Sequence, residues 1–148
     1  MGPMNDFPIT VRFPIQWSDM DAFGHVNNAR YFTWFEAARI AYMTRVGLVS
    51  PEMRKPEGKG VGPIVAATNA EYLRPVVYPA ELVVGARVTR IGTTSFTMEY
   101  AVEDANSGVL YARGGAVMVT LRYADHQKVA VPAEVRAAIE VVETRVFE

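Results

Sequence analysis

Two carboxylates, a histidine and two carboxamides crowd into ten residues of this chain: Asp19, Asp21, His25, Asn27 and Asn28. They stand directly ahead of a long, mostly apolar stretch with helical period. A helix start presents unpaired N–H groups and the positive end of the helix dipole, so negative charge is stabilised there. A carboxylate beside such an end suits acyl transfer, in which a carbonyl oxygen turns negative as the carbon is attacked. Asp21 is the leading candidate. As a general base it takes a proton from water; as a nucleophile it attacks the carbonyl itself and forms a mixed anhydride. The spacing leaves both routes open.

The neighbours of Asp21 have plainer readings as well. Asp19 reads as a turn-holding carboxylate. Asn27 and Asn28 read as helix caps, and either can also hold a water or a substrate carbonyl. His25 is an orienting donor, a second catalytic group or a metal ligand. The chain has only one other histidine, His126, and no cysteine, which disfavours a metal site. Backbone N–H groups between Gly24 and Asn28 are the expected oxyanion donors.

Elements of two periods must position these residues. Ile9, Val11, Phe13, Ile15 and Trp17 alternate with Thr10, Arg12, Pro14 and Gln16, the pattern of a half-buried strand, with Pro14 marking a nearby free edge. Over residues 28–46, Arg30, Thr33, Glu36 and Arg39 form one narrow polar stripe. The rest is apolar, so this helix must be wrapped by other elements. Gly47 is placed to end it, and Glu36 and Arg39 are spaced to pair.

Residues 48–62 are rich in Pro, Gly and charge and read as a surface loop, in which Arg54, Lys55 and Lys59 can meet a phosphate or simply be solvated. Strand patterns follow over Ile64–Leu73, Leu82–Ile91, Phe96–Glu103 and Leu110–Arg122. Short turns join the last three into an antiparallel meander. Gly114-Gly115 signals a bulge or a close backbone approach. Pro132 then opens a short helix carrying Val135, Ala138, Ile139 and Val142 inward. This order predicts an α+β chain: a curved antiparallel sheet of about five strands around one long buried helix, plus a short C-terminal helix.

Composition bounds the function classes. The 148 residues suit one domain, spanning 1–148, with the first four residues read in part as an added leader. A net charge of −1 gives no reason to expect nucleic acid or an anionic membrane as partner. Neither a signal peptide nor an apolar run of membrane-spanning length is visible, so a cytoplasmic location is expected.

The run Asp19-Met-Asp-Ala-Phe-Gly-His-Val-Asn-Asn28, with Tyr31 and Glu36-Ala-Ala-Arg39, resembles the signature of hotdog-fold thioesterases, specifically the 4-hydroxybenzoyl-CoA and acyl-carrier-protein thioesterase-like branch. Weaker echoes are Tyr72–Leu82 and Ser95-Phe96. The resemblance spans nearly the whole chain. It implies a hotdog fold, hydrolysis of an acyl-CoA or acyl-carrier-protein thioester to a free acid, and no cofactor or metal.

Residue by residue, the resemblance points to Asp21 for catalysis and, through the carrier-protein branch alone, to His25. Enzymes of that branch carry Asn midway between the two, where this chain has Phe23. The aromatic-CoA branch lacks the His but keeps the Asp and the Gly. Substrate contacts are expected from Phe23, Gly24, Asn27, Asn28, Tyr31 and Thr68, with Arg90 and Ser95 near the coenzyme nucleotide. Enoyl-thioester hydratases share the fold, but their motif usually places Asn and Pro between the Asp and the His. A non-catalytic acyl-CoA-binding domain is the third class. A curled sheet leaves one edge open, so a homodimer or a tetramer of dimers is expected.

Overall fold

The structure is a computed structural model describing residues 3–49 and 60–148, so the basic residues Arg54, Lys55 and Lys59 lie outside the described part. Its strands are β1 (Ile9–Pro14), β2 (Val61–Tyr72), β3 (Glu81–Ile91), β4 (Ser95–Asp104), β5 (Leu110–Arg122) and the two-residue β6 (Gln127–Lys128). Its helices are α1 (Arg30–Arg45) and α2 (Ala133–Glu143), with single 3-10 turns at Pro3–Asp6 and Trp17–Asp19. One antiparallel sheet runs in the order β1-β3-β4-β5-β2, and β6 adds to β5. The sheet curls round α1, as the pattern of periods predicts.

The helix is wrapped because its side chains leave no other option. Tyr31, Trp34, Phe35, Ala38, Tyr42 and Met43 are buried against Val84, Val88, Phe96, Met98, Tyr100 and Val102 of the central strands. Each large side chain so buried contributes about 1.5–3 kcal/mol. The Phe35 and Tyr100 rings stack 4.9 Å apart and 13° from parallel. Gly114 stands where a Cβ would strike the Phe35 ring, so the glycine pair serves close approach. It is not a bulge: Gly114 and Gly115 pair in continuous register with Ala70 and Asn69, and the β2–β5 irregularity falls at Val65/Ala67.

Three local expectations are corrected. Trp17 does not continue the inward face of β1; the strand ends at Pro14, a 3-10 turn begins at Trp17, and the indole is 71% exposed. Arg39 does not lie on an exposed stripe but is buried, while Ala37 and Ile40 face outward. Neither Asn27 nor Asn28 is the N-cap of α1: that position is Ala29, with no side-chain cap. The C-terminus of α1 behaves as expected, with Gly47 in the left-handed region at φ +81°.

α2 is fastened by a half-buried carboxylate, Glu143. A register irregularity between Val88 and Arg90 accompanies a side-chain bond at the Val88 N–H, which donates to Glu143 Oε2 at 2.8 Å. The Tyr42 hydroxyl donates to the same oxygen at 2.6 Å. Burial first, then this bond, pushes the Tyr42 phenol well above its ordinary pKa. On the convex face, Glu103 is buried, and its Oε2 has no hydrogen-bond partner among the described residues. Burial raises that carboxyl.

The two sheet edges differ. β1 is short and ends in Pro14, whereas β2 is twelve residues long and mostly exposed, including Ile64, Val65 and Tyr72. No helix among the described residues is long and apolar enough to cross a membrane.

Candidate active site

The segment from Trp17 to Asn28 folds into a tight loop between β1 and α1. Its neck is a bridge between Met20 and Val26, with Asp21 N–H donating to the His25 carbonyl at 2.9 Å. Gly24 turns the chain at φ +84°, a conformation that disfavours a side chain. The loop is tied down by Val26 N–H to the Val76 carbonyl and Asn27 N–H to the Asp19 carbonyl, both at 2.9 Å.

Asp19 has the structural role expected. It is 8% exposed, accepts the Gln16 N–H at 2.7 Å and lies 3.4 Å from the Arg30 guanidinium. Asp21 is more open. Its Oδ1 accepts the Phe23 N–H at 2.8 Å, an Asx turn that fixes the carboxyl orientation. Among the described residues no bond reaches Oδ2. His25 is exposed and lines a cleft of about 310 Å³ with Asn28, Tyr31, Tyr72 and Arg74.

Donors are present at the helix start. The N–H groups of Gly24, Val26 and Asn27 are already engaged. Those of His25 and Asn28 have no protein acceptor among the described residues. Asn27 Oδ1 accepts the Ala29 N–H at 2.9 Å, which holds the entry to α1 without capping it. The Asn28 carbonyl accepts the Tyr72 hydroxyl at 2.9 Å, clamping the end of β2 to the loop. Tyr31 is buried and packs edge-on to Tyr72 at 4.9 Å.

Other expected contacts are placed elsewhere. Phe23 is at the loop tip and 86% exposed among the described residues. Thr68 donates to the Gly115 carbonyl at 3.0 Å and lines a cleft further along α1. Arg90 and Ser95 flank the β3–β4 hairpin, at the far end of β3 from the loop, roughly 30 Å away within one chain. Arg74, Leu73 and Pro75 line the His25 cleft and were not expected from the sequence. Their signal is the Tyr72-Leu-Arg-Pro75 run, whose side chains carry no spacing rule that points to a cleft. Among the described residues, no group of three His, Asp or Glu side chains is gathered to hold a metal.

The profile of the thioesterase-like superfamily matches residues 15–139. A thioesterase from Thermus thermophilus, solved with coenzyme A and Zn, superposes with a TM-score of 0.81 at 33% identity, over 96% of this chain and 99% of that one. The PA5185 protein of Pseudomonas aeruginosa superposes with a TM-score of 0.82 at 28% identity, over 95% and 94%. The protein YsmA of Bacillus subtilis is 31% identical over 105 residues, covering 71% of this chain and 67% of its own. The chain belongs to the thioesterase-like superfamily of hotdog-fold proteins, and its general activity is thioester hydrolysis.

Proposed function

We propose that the protein hydrolyses acyl-CoA thioesters, with Asp21 as the reacting carboxylate. The observation that carries this is the Asx turn at Asp21. It fixes one carboxyl oxygen on the Phe23 N–H and leaves the other unengaged, in a loop whose His25 and Asn28 N–H groups are unpartnered among the described residues. A thioester carbonyl in the His25–Tyr31 cleft meets those donors at the start of α1. Asp21 then acts by one of two balanced routes. It takes a proton from a water that adds to the carbonyl, or it adds directly, expels the thiolate and leaves an anhydride for water to cleave. The Thermus relative solved with coenzyme A supports the coenzyme over a carrier protein.

The functional unit in this reading is a dimer paired through β2. Its long exposed edge offers a row of ladder groups, and a two-fold reverses the strands. Reversal brings the β3–β4 hairpin of one copy to the loop end of the other. Arg90 and Ser95 then approach the nucleotide, and Phe23 gains a wall to pack against.

Thiol release measured over acyl-CoAs and carrier-protein thioesters tests the activity, and no turnover of any thioester would overturn it. Single turnover in ¹⁸O-water separates the routes. Label entering Asp21 marks an anhydride cleaved at the Asp21 carbon, and an acyl-enzyme trapped with hydroxylamine marks one cleaved at the acyl carbon. Label only in the product acid, with no trapped acyl-enzyme, marks the base.

A further inference from the structure

Three clefts lie in a row between α1 and β2, which run antiparallel. The first is the His25–Tyr31–Tyr72 cleft at the helix start. The second, about 220 Å³, is lined by Phe32, Thr33, Thr68, Glu36, Arg39 and Val65. The third, about 270 Å³, is apolar, with Ile40, Met43, Pro63, Ile64, Met118 and Tyr123 in its walls, and it shares Glu36, Arg39 and Val65 with the second. Those three shared residues form the boundary between the two.

We propose that the Glu36–Arg39 pair is a depth stop that sets acyl-chain length, confining the acyl group to the near clefts and closing off the apolar third. This rests on the thioesterase reading of the Asp21 loop.

Arg39 is well placed to be such a stop. It is 9% exposed, and its guanidinium is held by long contacts: 3.4 Å to the Tyr100 hydroxyl and 3.7 Å to Glu36. A cation in this position resists an approaching alkyl chain, because desolvating it further with no acceptor in return is costly. Eight residues separate Tyr31 from Arg39, about 12 Å along the helix. A butyryl group stops short of that distance and a dodecanoyl group passes it. The third cleft is apolar enough to accept the longer chain once the charge is gone. Glu36, more exposed, stands at the rim.

The test is binding of two non-hydrolysable thioethers, S-butyl-CoA and S-dodecyl-CoA, to the wild-type protein, Arg39→Ala and Glu36→Ala, read by calorimetry. Arg39→Met, which keeps the volume of a long side chain without the charge, guards against a misfolded alanine variant. The wild type is expected to prefer S-butyl-CoA by at least tenfold. Arg39→Ala should abolish or reverse that preference while leaving S-butyl-CoA affinity within threefold, and Glu36→Ala should weaken it. Arg39→Met should relax the preference as well, because it removes the charge that makes the stop. A wild type with no preference, an unchanged preference in both Arg39 variants, or no binding of either thioether overturns the proposal. Failure of the thioesterase reading looks different: the thioethers bind with the expected discrimination, but no acyl-CoA is hydrolysed.

Discussion

Asp21 and Asp19 are two residues apart and chemically identical, yet their surroundings give them different work. Asp19 is enclosed, with both oxygens engaged by Gln16 and Arg30, so it holds the turn. Asp21 has one oxygen fixed and one open. Asp21→Asn keeps an oxygen for the Phe23 N–H and removes the charge a base or nucleophile needs. Hydrolysis of the best acyl-CoA should fall at least ~100-fold, the low end of what one acid–base group contributes. Melting temperature and thioether binding should hardly change. Asp19→Asn should cost less in turnover and more in stability, and His25→Ala should fall between the two aspartate variants in activity. Near-normal turnover in Asp21→Asn would remove Asp21 from the mechanism. Glu103 supplies a second test at this scale. Its buried carboxyl is raised, so the folded state favours the protonated form. Its contribution is favourable below the ordinary carboxylate pKa and is lost as pH rises through the raised value. Glu103→Gln should therefore raise the urea midpoint at neutral pH, with the gain fading on acidification. An equal gain at every pH would point to some other cause.

Among the elements, α1 is held by the sheet and by α2 through separate contacts. Gly114 admits the Phe35 ring against β5, and Gly114→Val should cost about 1–3 kcal/mol by overpacking, read as a lower denaturant midpoint at constant slope. Soluble protein of unchanged midpoint would count against the close approach. The Tyr42–Glu143–Val88 cluster ties α2 to α1 and β3. Because burial and Glu143 raise the Tyr42 phenol, the folded state holds its proton more tightly than the unfolded chain does. The stabilisation is complete below the ordinary tyrosine pKa of about 10 and is lost as pH rises above it. Unfolding should thus become easier above about pH 10. Tyr31, Tyr100, Tyr111 and Tyr123 are raised too, each by burial first, so Tyr42→Phe should remove only part of that alkaline slope. A slope left wholly intact in Tyr42→Phe would place the effect on the other tyrosines.

For the whole molecule the open edge of β2 is the deciding feature. Apolar side chains and ladder groups along twelve residues are a strong template for a second strand. Light scattering at micromolar concentration should return a dimer or a tetramer, and the melting temperature should rise with protein concentration. A folded, active monomer would sink this arrangement, and with it the approach of Arg90 and Ser95 to the partner's loop.

Periodicity determined a great deal by itself. A helix polar on so little of its surface has to be enclosed, and five strand patterns supplied the only enclosure available, so the wrapped-helix fold was legible. The bounds of β5 and the end of α1 at Gly47 followed from the same patterns and from glycine's freedom at positive φ. The Asp21 loop was legible because its residue types are local in sequence, and local order survives folding. Tertiary structure alone decided the rest. Arg39 sits on the polar stripe by spacing, but the curl of β4 under α1 buries it beside Tyr100, which no helical period encodes. Trp17 continues an alternating pattern, yet the chain turns at that point and carries it outward. Arg74 joins His25 in one cleft from a distant segment of the sequence, brought there by the Tyr72–Asn28 and Val76–Val26 bonds. Pattern reports which face of an element is apolar. Which distant residues meet across a cleft depends on how the sheet curls, and curl is a property of all the strands together.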